Sequence, residues 1–508
     1  MVWLVGALLL LWIAWGPAVL VAAAAALCVP RIRWWVQDRI HVSRRVAGWM
    51  AGALTALVAL VLVVPDGWLP IPPAPGVWAG PSYVGRPASP HPVALAEVTQ
   101  HPHLAPGSPS ARTGPLGLQP EVETAWLGSQ RCGHLELISD DRLVALCTDR
   151  SGPSLRLVDA DTMRPTTTRD LPDRVDGSSC TGEAFYLDET GRVVVATTDR
   201  QVLAVRTATA TGAAGFATDT TWDLKPYIPH GDCLVALAPD WSGRIWWASQ
   251  QGLVGTIPSD PHPAPDSGGV QVVDLGEDVR RGFATDEAGG VYVVTDASLH
   301  RLVAGPDGSP QATWRTAYDG TSGSAPVLLD RGAVAITDSV DGRTGVLFVS
   351  RDGGQVICRQ PVFEEGESST DSSLASLGSG VVVTNNHDYS SPRSTLLGFT
   401  SSPGIARVDL VDGACVERWT SEAVSPSSGV TASWPLGLVY AWTKRPSLLG
   451  VSAWYLTAID VESGRSMWSV RTGTGLHAGS DHSEIALGPD GSAWIGTMAG
   501  LVRVRDRR

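Results

Sequence analysis

From residue 120 onward one pattern recurs along the chain: a short apolar run closes on a hydroxyl residue, a polar turn follows, and another apolar run begins. The runs are LVALCTD, VVVATTD, IWWASQ, VYVVTD, AVAITD, VVVTN, LVYAWTK and AWIGTM, with hydroxyls at Thr148, Thr198, Ser249, Thr295, Thr337, Thr384, Thr443 and Thr497. Successive hydroxyls lie 42 to 59 residues apart, the length of one four-stranded propeller blade. Runs this short, bounded by Gly and Asp, read as strands, and no stretch after residue 120 carries a helical period. Turns such as FATDEAGG and IALGPDG have hairpin chemistry, so each unit is an antiparallel sheet of strands A to D. Eight copies predict an all-β, eight-bladed β-propeller over residues 121–508.

The last copy, AWIGTMAGLVRVRDRR, ends after strand C and would leave an unpaired edge open to aggregation. The segment VETAWL at 122–127 is expected to close the ring as the missing outer strand. Its Trp126 matches Trp314, Trp419 and Trp468 in the fourth strands of other units.

The first 64 residues follow a different pattern. Residues 2–29 and 46–64 are apolar and uncharged, each long enough to cross a hydrocarbon core as a helix. Between them, residues 31–45 carry five Arg against Asp38, which the positive-inside rule keeps in the cytoplasm. The first run lacks the basic region of a signal peptide, and the bulky Leu27 before Cys28 makes a poor lipoprotein cleavage site. The expectation is therefore a two-helix transmembrane hairpin over 1–64, integral in the cell membrane, with the propeller outside. Residues 65–120, rich in Pro, Gly, Ser and His, read as a semi-rigid linker that holds the propeller off the membrane, with His91, His101 and His103 solvated.

Charge and cysteines narrow the picture further. The net charge is −13, and the one concentrated basic run lies between the two apolar segments, so nucleic acid is not an expected partner. Six cysteines lie beyond the second apolar run, an even number that suits an oxidising compartment. Cys132 and Cys147 flank one hairpin turn. Cys180 and Cys233 each precede strand A, and Cys358 and Cys415 each lie near the start of strand D, in neighbouring blades, so disulfides are expected within these three pairs.

Asparagine occurs only at Asn385 and Asn386, in the stretch VVVTNNHDYSSP. They follow a strand B, and B–C turns open on the same face of a propeller as the links from strand D into the next strand A. That face should therefore gather Asn385, Asn386, His387, Asp388 and Tyr389 with His230, Asp232, Arg280, Arg281, Lys444, Asp481 and His482. A ligand site at the mouth of the central channel is one reading, because loops from many blades converge there. The other is that the asparagines only supply left-handed or self-capping turns. His477 and His482 lack the geometry to aim two rings at one ion, so no metal is expected. No nucleophile elbow, phosphate loop or acid–base pair stands out, and eight equivalent hydroxyls suit turn hydrogen bonds better than nucleophilic catalysis.

Residues 458–468, AIDVESGRSMW, resemble the A-x-D-x-x-[TS]-G-[KR]-x-x-W core of the quinoprotein-type (PQQ-like) propeller repeat, and VDLVDGACVERW and VAGPDGSPQATW are looser copies. The stretch GPDGSAWIGTMAGLVRV is also similar to the repeat of sensor-type extracellular propellers. Two apolar runs, a Pro-rich segment and such a propeller are together similar to a group of membrane-anchored proteins of high-G+C bacteria, a likeness that implies a fold and no particular activity. Quinoprotein dehydrogenases of that superfamily hold PQQ and calcium with a stacking Trp, a basic residue at the quinone carbonyl, a catalytic Asp and often adjacent cysteines. Here Trp246, Trp247 or Trp494 would have to stack, and Lys444 or Arg281 supply the charge, while no adjacent cysteines occur. The leading expectation is a non-catalytic module binding a protein, glycan or small molecule, with no cofactor. The alternatives are a quinone-dependent dehydrogenase or lyase-type propeller enzyme, and a structural subunit of a cell-envelope complex.

Overall fold

The computed structural model describes residues 17–39, 63–74, 79–94, 100–105 and 109–507, apart from positions 140, 174–183, 209–211, 259–268, 321 and 448–450, together with isolated positions between 11 and 59. Beyond residue 130 it contains eight antiparallel sheets in chain order, so the all-β, eight-bladed propeller is the architecture. Blades 1 to 7 occupy Arg131–Asp170, Phe185–Asp223, Leu234–Asp274, Ala284–Ala317, Val327–Pro361, Ala375–Ser421 and Val430–Thr474.

Blade packing explains why the strand B runs are apolar throughout rather than alternating. Each blade buries both faces against its neighbours, so Val193–Ala196 and Gly380–Thr384 have no exposed residue. Outer strands have one free side, and Pro165–Asp170 alternates between half-buried and exposed positions. The A–B turns are set by aspartates that accept their own backbone amides: Asp240 Oδ1 receives the N–H groups of Ser242 and Arg244 at 2.8 and 3.0 Å. Asp286 Oδ1 does the same for Ala288 and Gly290, at 3.1 and 2.7 Å.

Ring closure uses the N-terminal side of the propeller. Strand β2 (Pro120–Trp126) pairs with Gly500–Asp506 in full register, from Pro120 opposite Asp506 to Trp126 opposite Gly500. Arg503, 2% exposed, locks this seam. Its guanidinium holds Glu123 of β2 at 2.6 Å and donates to the Ala160 and Asp161 carbonyls of blade 1.

The described residues of the segment read as a semi-rigid linker lie against the propeller. Asp66 pairs with Arg156 at 2.6 Å, and Trp126 exchanges backbone hydrogen bonds with Gly67 and Leu69. Strand β1 (Tyr83–Gly85) adds a fifth strand to blade 7. His91 then reaches Asp460 at 2.7 Å and Val93 bonds to Trp434, both in turns of blade 7. His101 packs at a tilt against Trp241 of blade 3, ring centres 4.9 Å apart, and the Ala105 amide bonds to Leu187 of blade 2. Leu116 and Gly117 finally donate to Asp506. Blades 3 and 7 stand opposite each other in a ring of eight, so this strap reaches both sides of the face that carries the A–B and C–D turns. Proline-rich sequence shows no internal hydrogen-bond period, and the distant backbone groups that hold it are invisible locally.

Two helices are described near the N-terminus, α1 (Pro17–Leu27) and α2 (Pro30–Arg39), the latter inside the Arg-rich stretch expected to be a loop. Among the described residues, no helix is long and apolar enough to cross a membrane. Most of the 46–64 run lies outside the description.

Two bridges join expected cysteine partners. Cys132 and Cys147 are paired across strands A and B of blade 1, with Cα atoms 3.9 Å apart. Cys358 and Cys415, 5.7 Å apart, staple the outer strands of blades 5 and 6. Cys233 is also disulfide-bonded, and its expected partner Cys180 lies outside the described residues.

Candidate functional site

The B–C turns and the D-to-A links share one face, here called the link face, opposite the strap. Several strand-B hydroxyls pin this face together. Thr198 donates to the Pro172 and Asp173 carbonyls of the preceding link, Thr337 bonds to Ser324 at 3.1 Å, and Thr497 closes on Gly500 within its own turn. All eight hydroxyl residues are buried. Their recurrence thus reflects turn and link geometry.

Asn385 and Asn386 are each 1% exposed and face no solvent. Asn385 donates to the Glu367 and Pro403 carbonyls and accepts from the Ser369 and His387 amides. Asn386 donates to the Ser425 and Pro426 carbonyls and accepts from the Asp371 amide and the Ser372 hydroxyl, both at 3.0 Å. Neither has a positive φ; in this loop that conformation belongs to Asp388. The left-handed conformation is thus not theirs, but Asn385 caps its own loop as an Asx turn by accepting the His387 amide two residues on, and the other bonds of both side chains run to neighbouring segments. Asn386 joins the links into blades 6 and 7 with two N–H donors and an accepting oxygen on one planar group, where a carboxylate has no donor and a hydroxyl only one.

The link held by Asn386 lines a polar cavity of about 170 Å³. Arg280 and Arg281 from the link into blade 4, Ser322 from the link into blade 5, and Ser369, Thr370 and Asp371 from the link into blade 6 converge there. Arg281 Nη2 meets Asp371 Oδ1 at 3.1 Å, skipping the intervening blade. Such a contact places both residues near the axis, because blades fan apart outward. Arg281 Nε is buried and has no hydrogen-bond partner among the described residues. Asp338, at the same cavity, is held by Arg359 at 2.7 Å.

A second convergence lies further round the ring. Tyr389, from the blade 6 turn, donates to Asp481 of the link into blade 8 at 2.7 Å. Asp481 also pairs with Arg131, at the start of blade 1. Burial, and then the neighbouring Asp481 charge, push the Tyr389 hydroxyl well above its ordinary pKa, so it stays a donor. His482 packs edge-on against Tyr389, ring centres 5.8 Å apart.

The remaining candidates separate. His387 and Asp388 lie beside each other at 3.5 Å on the outer part of the loop. His230 is exposed, whereas Asp232 is 2% exposed and caps the Cys233 and Gln251 amides. Lys444 is 1% exposed and its ammonium donates to the Phe399 carbonyl beneath the long blade 6 turn, so it does not reach the open face. Burial lowers its pKa to about 8. Among the described residues no group of three His, Cys, Asp or Glu could hold a metal.

The side chains that a quinone would need do not assemble. Trp246 and Trp247 are fully buried between blades, in the clusters on either side of blade 3, and Trp246 donates to Asp240 at 2.8 Å. Trp494 is 1% exposed beneath Arg503 at the ring seam. None presents a face for stacking, and the two cations considered are committed to Phe399 and Asp371. Sequence reasoning missed the lining residues Ser322, Ser369, Thr370 and Asp371. The polar run ESSTDSS at 367–373 was the available signal, and only the fold shows that it faces two arginines from another blade.

No protein-family model matches the chain. An uncharacterized protein of Archaeoglobus fulgidus is 27% identical over 330 residues, which cover 55% of this chain and 62% of that protein. The chain therefore spans less than two thirds of that relative. Among solved structures, Sqt1 of Saccharomyces cerevisiae is similar with a TM-score of 0.53 at 11% identity, covering 75% of this chain and 97% of Sqt1. Sqt1 of Chaetomium thermophilum gives 0.50 at 13% identity, covering 75% and 97%. A streptogramin B lyase gives 0.37 at 12% identity, covering 62% and 90%. At these identities the likeness to the two Sqt1 structures is one of fold alone.

Proposed function

We propose that this chain is a membrane-anchored extracellular propeller that binds a polar ligand at its link face without converting it. The observation that carries the reading is the cavity between Arg280, Arg281 and the Ser369–Asp371 link. It gathers hydroxyls, carboxylates and two arginine side chains, on backbone held by Asn385 and Asn386. Polar groups fixed in advance by buried hydrogen bonds recognise ligands at low entropic cost. The cavity suits a small polar molecule, or one residue of a glycan or protein loop. Anchoring is supported by the two apolar runs flanking an Arg-rich stretch, and the outside location by the disulfides. A thermal-shift screen of the detergent-solubilised full chain against monosaccharides, amino acids and dicarboxylates tests the site. A stabilising compound whose effect vanishes in Arg281→Ala supports it. Stabilisation that persists undiminished in that variant overturns it.

A further inference from the structure

The apolar run that would form the second span ends at Val64, and Asp66 is already fixed to the propeller. Its carboxylate meets Arg156, whose side chain is 7% exposed, at 2.6 Å. The next residues are held as firmly: Gly67 N–H donates to the Trp126 carbonyl and Trp126 N–H to the Leu69 carbonyl, both at 2.8 Å. Gly67 has φ +79°, and a Cβ there would lie 2.9 Å from the Pro165 ring, so the chain is wedged between the outer strand of blade 8 and the C–D turn of blade 1. Only Pro65 separates the apolar run from this clasp. Two residue steps of fully extended chain reach roughly 7 Å.

We infer that the rim of the propeller at the junction of blades 8 and 1 rests on the lipid headgroups. The inference rests on the anchored reading above and adds the orientation of the disk. The contact carries suitable chemistry. Trp68 is 57% exposed although it is fixed between two clasped neighbours, and the Arg164 guanidinium lies 4.0 Å over its ring. An indole backed by a guanidinium suits the headgroup layer, where an apolar body and polar edges are both satisfied. The adjoining outer strand of blade 1 exposes Thr166 and Thr168, which cost little to bring against headgroups. In this pose both flat faces stand clear of the bilayer, and the link-face cavity opens sideways to a partner or ligand.

The test uses the full chain with Cys28→Ser, reconstituted in phosphatidylcholine–phosphatidylglycerol vesicles, with a nitroxide at Thr168→Cys, Gln311→Cys or His230→Cys. These positions report the blade 1 rim, the rim of blade 4 across the disk, and the link face. Access of a water-soluble nickel chelate is expected to be roughly threefold lower at 168 than at 311 or 230, as for a site at the headgroup layer. A Gly-Ser insertion of about twelve residues between Pro65 and Asp66 should abolish the difference by giving the disk slack. Equal access at all three positions, in protein that floats with the vesicles, overturns the orientation while leaving the anchor intact. Protection at 230 instead of 168 overturns it in favour of a face-down disk. Failure of the unmodified chain to float with vesicles overturns the anchored reading beneath both.

Discussion

The Nε1–H of Trp419 in the outer strand of blade 6 donates to the carbonyl of Val461 in the C–D turn of blade 7, at 2.7 Å. The same turn brings Gly464 against the indole, where a Cβ would lie 2.5 Å from the ring. Trp314 of blade 4 repeats the arrangement on blade 5, donating to Arg351 at 2.9 Å with Gly354 against its ring. The Trp and Gly of the repeat thus serve different blades: the tryptophan of one docks on the glycine turn of the next.

Gly464→Ala should therefore destabilise the propeller more than an ordinary turn substitution. The residue has φ +68° and no room for a methyl group, and strain plus overpacking cost about 2–4 kcal/mol. Urea unfolding followed by tryptophan fluorescence checks this. Gly413→Ala, at φ +81° with open space around it, should lose clearly less.

Asn386→Ala removes five hydrogen bonds at a 1% exposed position, leaving the Asp371 amide and Ser425 carbonyl unpartnered at a cost of about 2–4 kcal/mol. Hydrogen exchange should rise across 369–372 and 425–428. The neighbouring His387→Ala, partly exposed, should change stability by no more than about 0.5 kcal/mol.

Two groups set opposite pH windows. Lys444, lowered by burial to about 8, is charged in the folded protein only below that pH, whereas the unfolded chain keeps its proton to about 10.5. The unfolded state then binds more protons between pH 8 and 10.5, so stability rises with pH through that window, by about 3 kcal/mol. Lys444→Met should stabilise the protein at pH 7 and flatten that rise.

Glu277 moves the other way. Burial would raise its pKa, but hydrogen bonds from Thr295, Arg315 and His300 outweigh it and hold the carboxylate at about 2. Its contribution is complete above the ordinary value of 4.5 and is lost as pH falls from there toward 2. Glu277→Gln should be less stable at pH 7 and lose less on acidification, as measured by denaturation midpoints at pH 7 and pH 3.

Replacing Cys358 and Cys415 together by Ser opens a loop with a sequence separation of 57, for which chain entropy predicts a loss of about 4 kcal/mol. The loss should appear as a lower denaturation midpoint in the oxidised protein. A strong reductant should bring wild type toward the variant.

The sequence by itself determined the number of blades, the strand order within each and the closing strand, because these follow from local periods that each unit repeats in its own residues. Burial of strands B and C on both faces writes VVV runs, and Asp-plus-Gly turns write the hairpins. The two described disulfides were legible for the same reason, since blade position fixes which cysteines are neighbours. The link face was legible only as a face. Only tertiary structure decided that Asn385 and Asn386 point inward, that Lys444 is sealed under a loop, and that Arg281 meets Asp371 across a blade. It also decided that the described residues between 66 and 117 lie as a strap on the propeller. In each case the partners are backbone groups or side chains far away in the chain, brought together by ring closure, and hydrogen bonds to such groups leave no periodic trace for a local pattern to reveal.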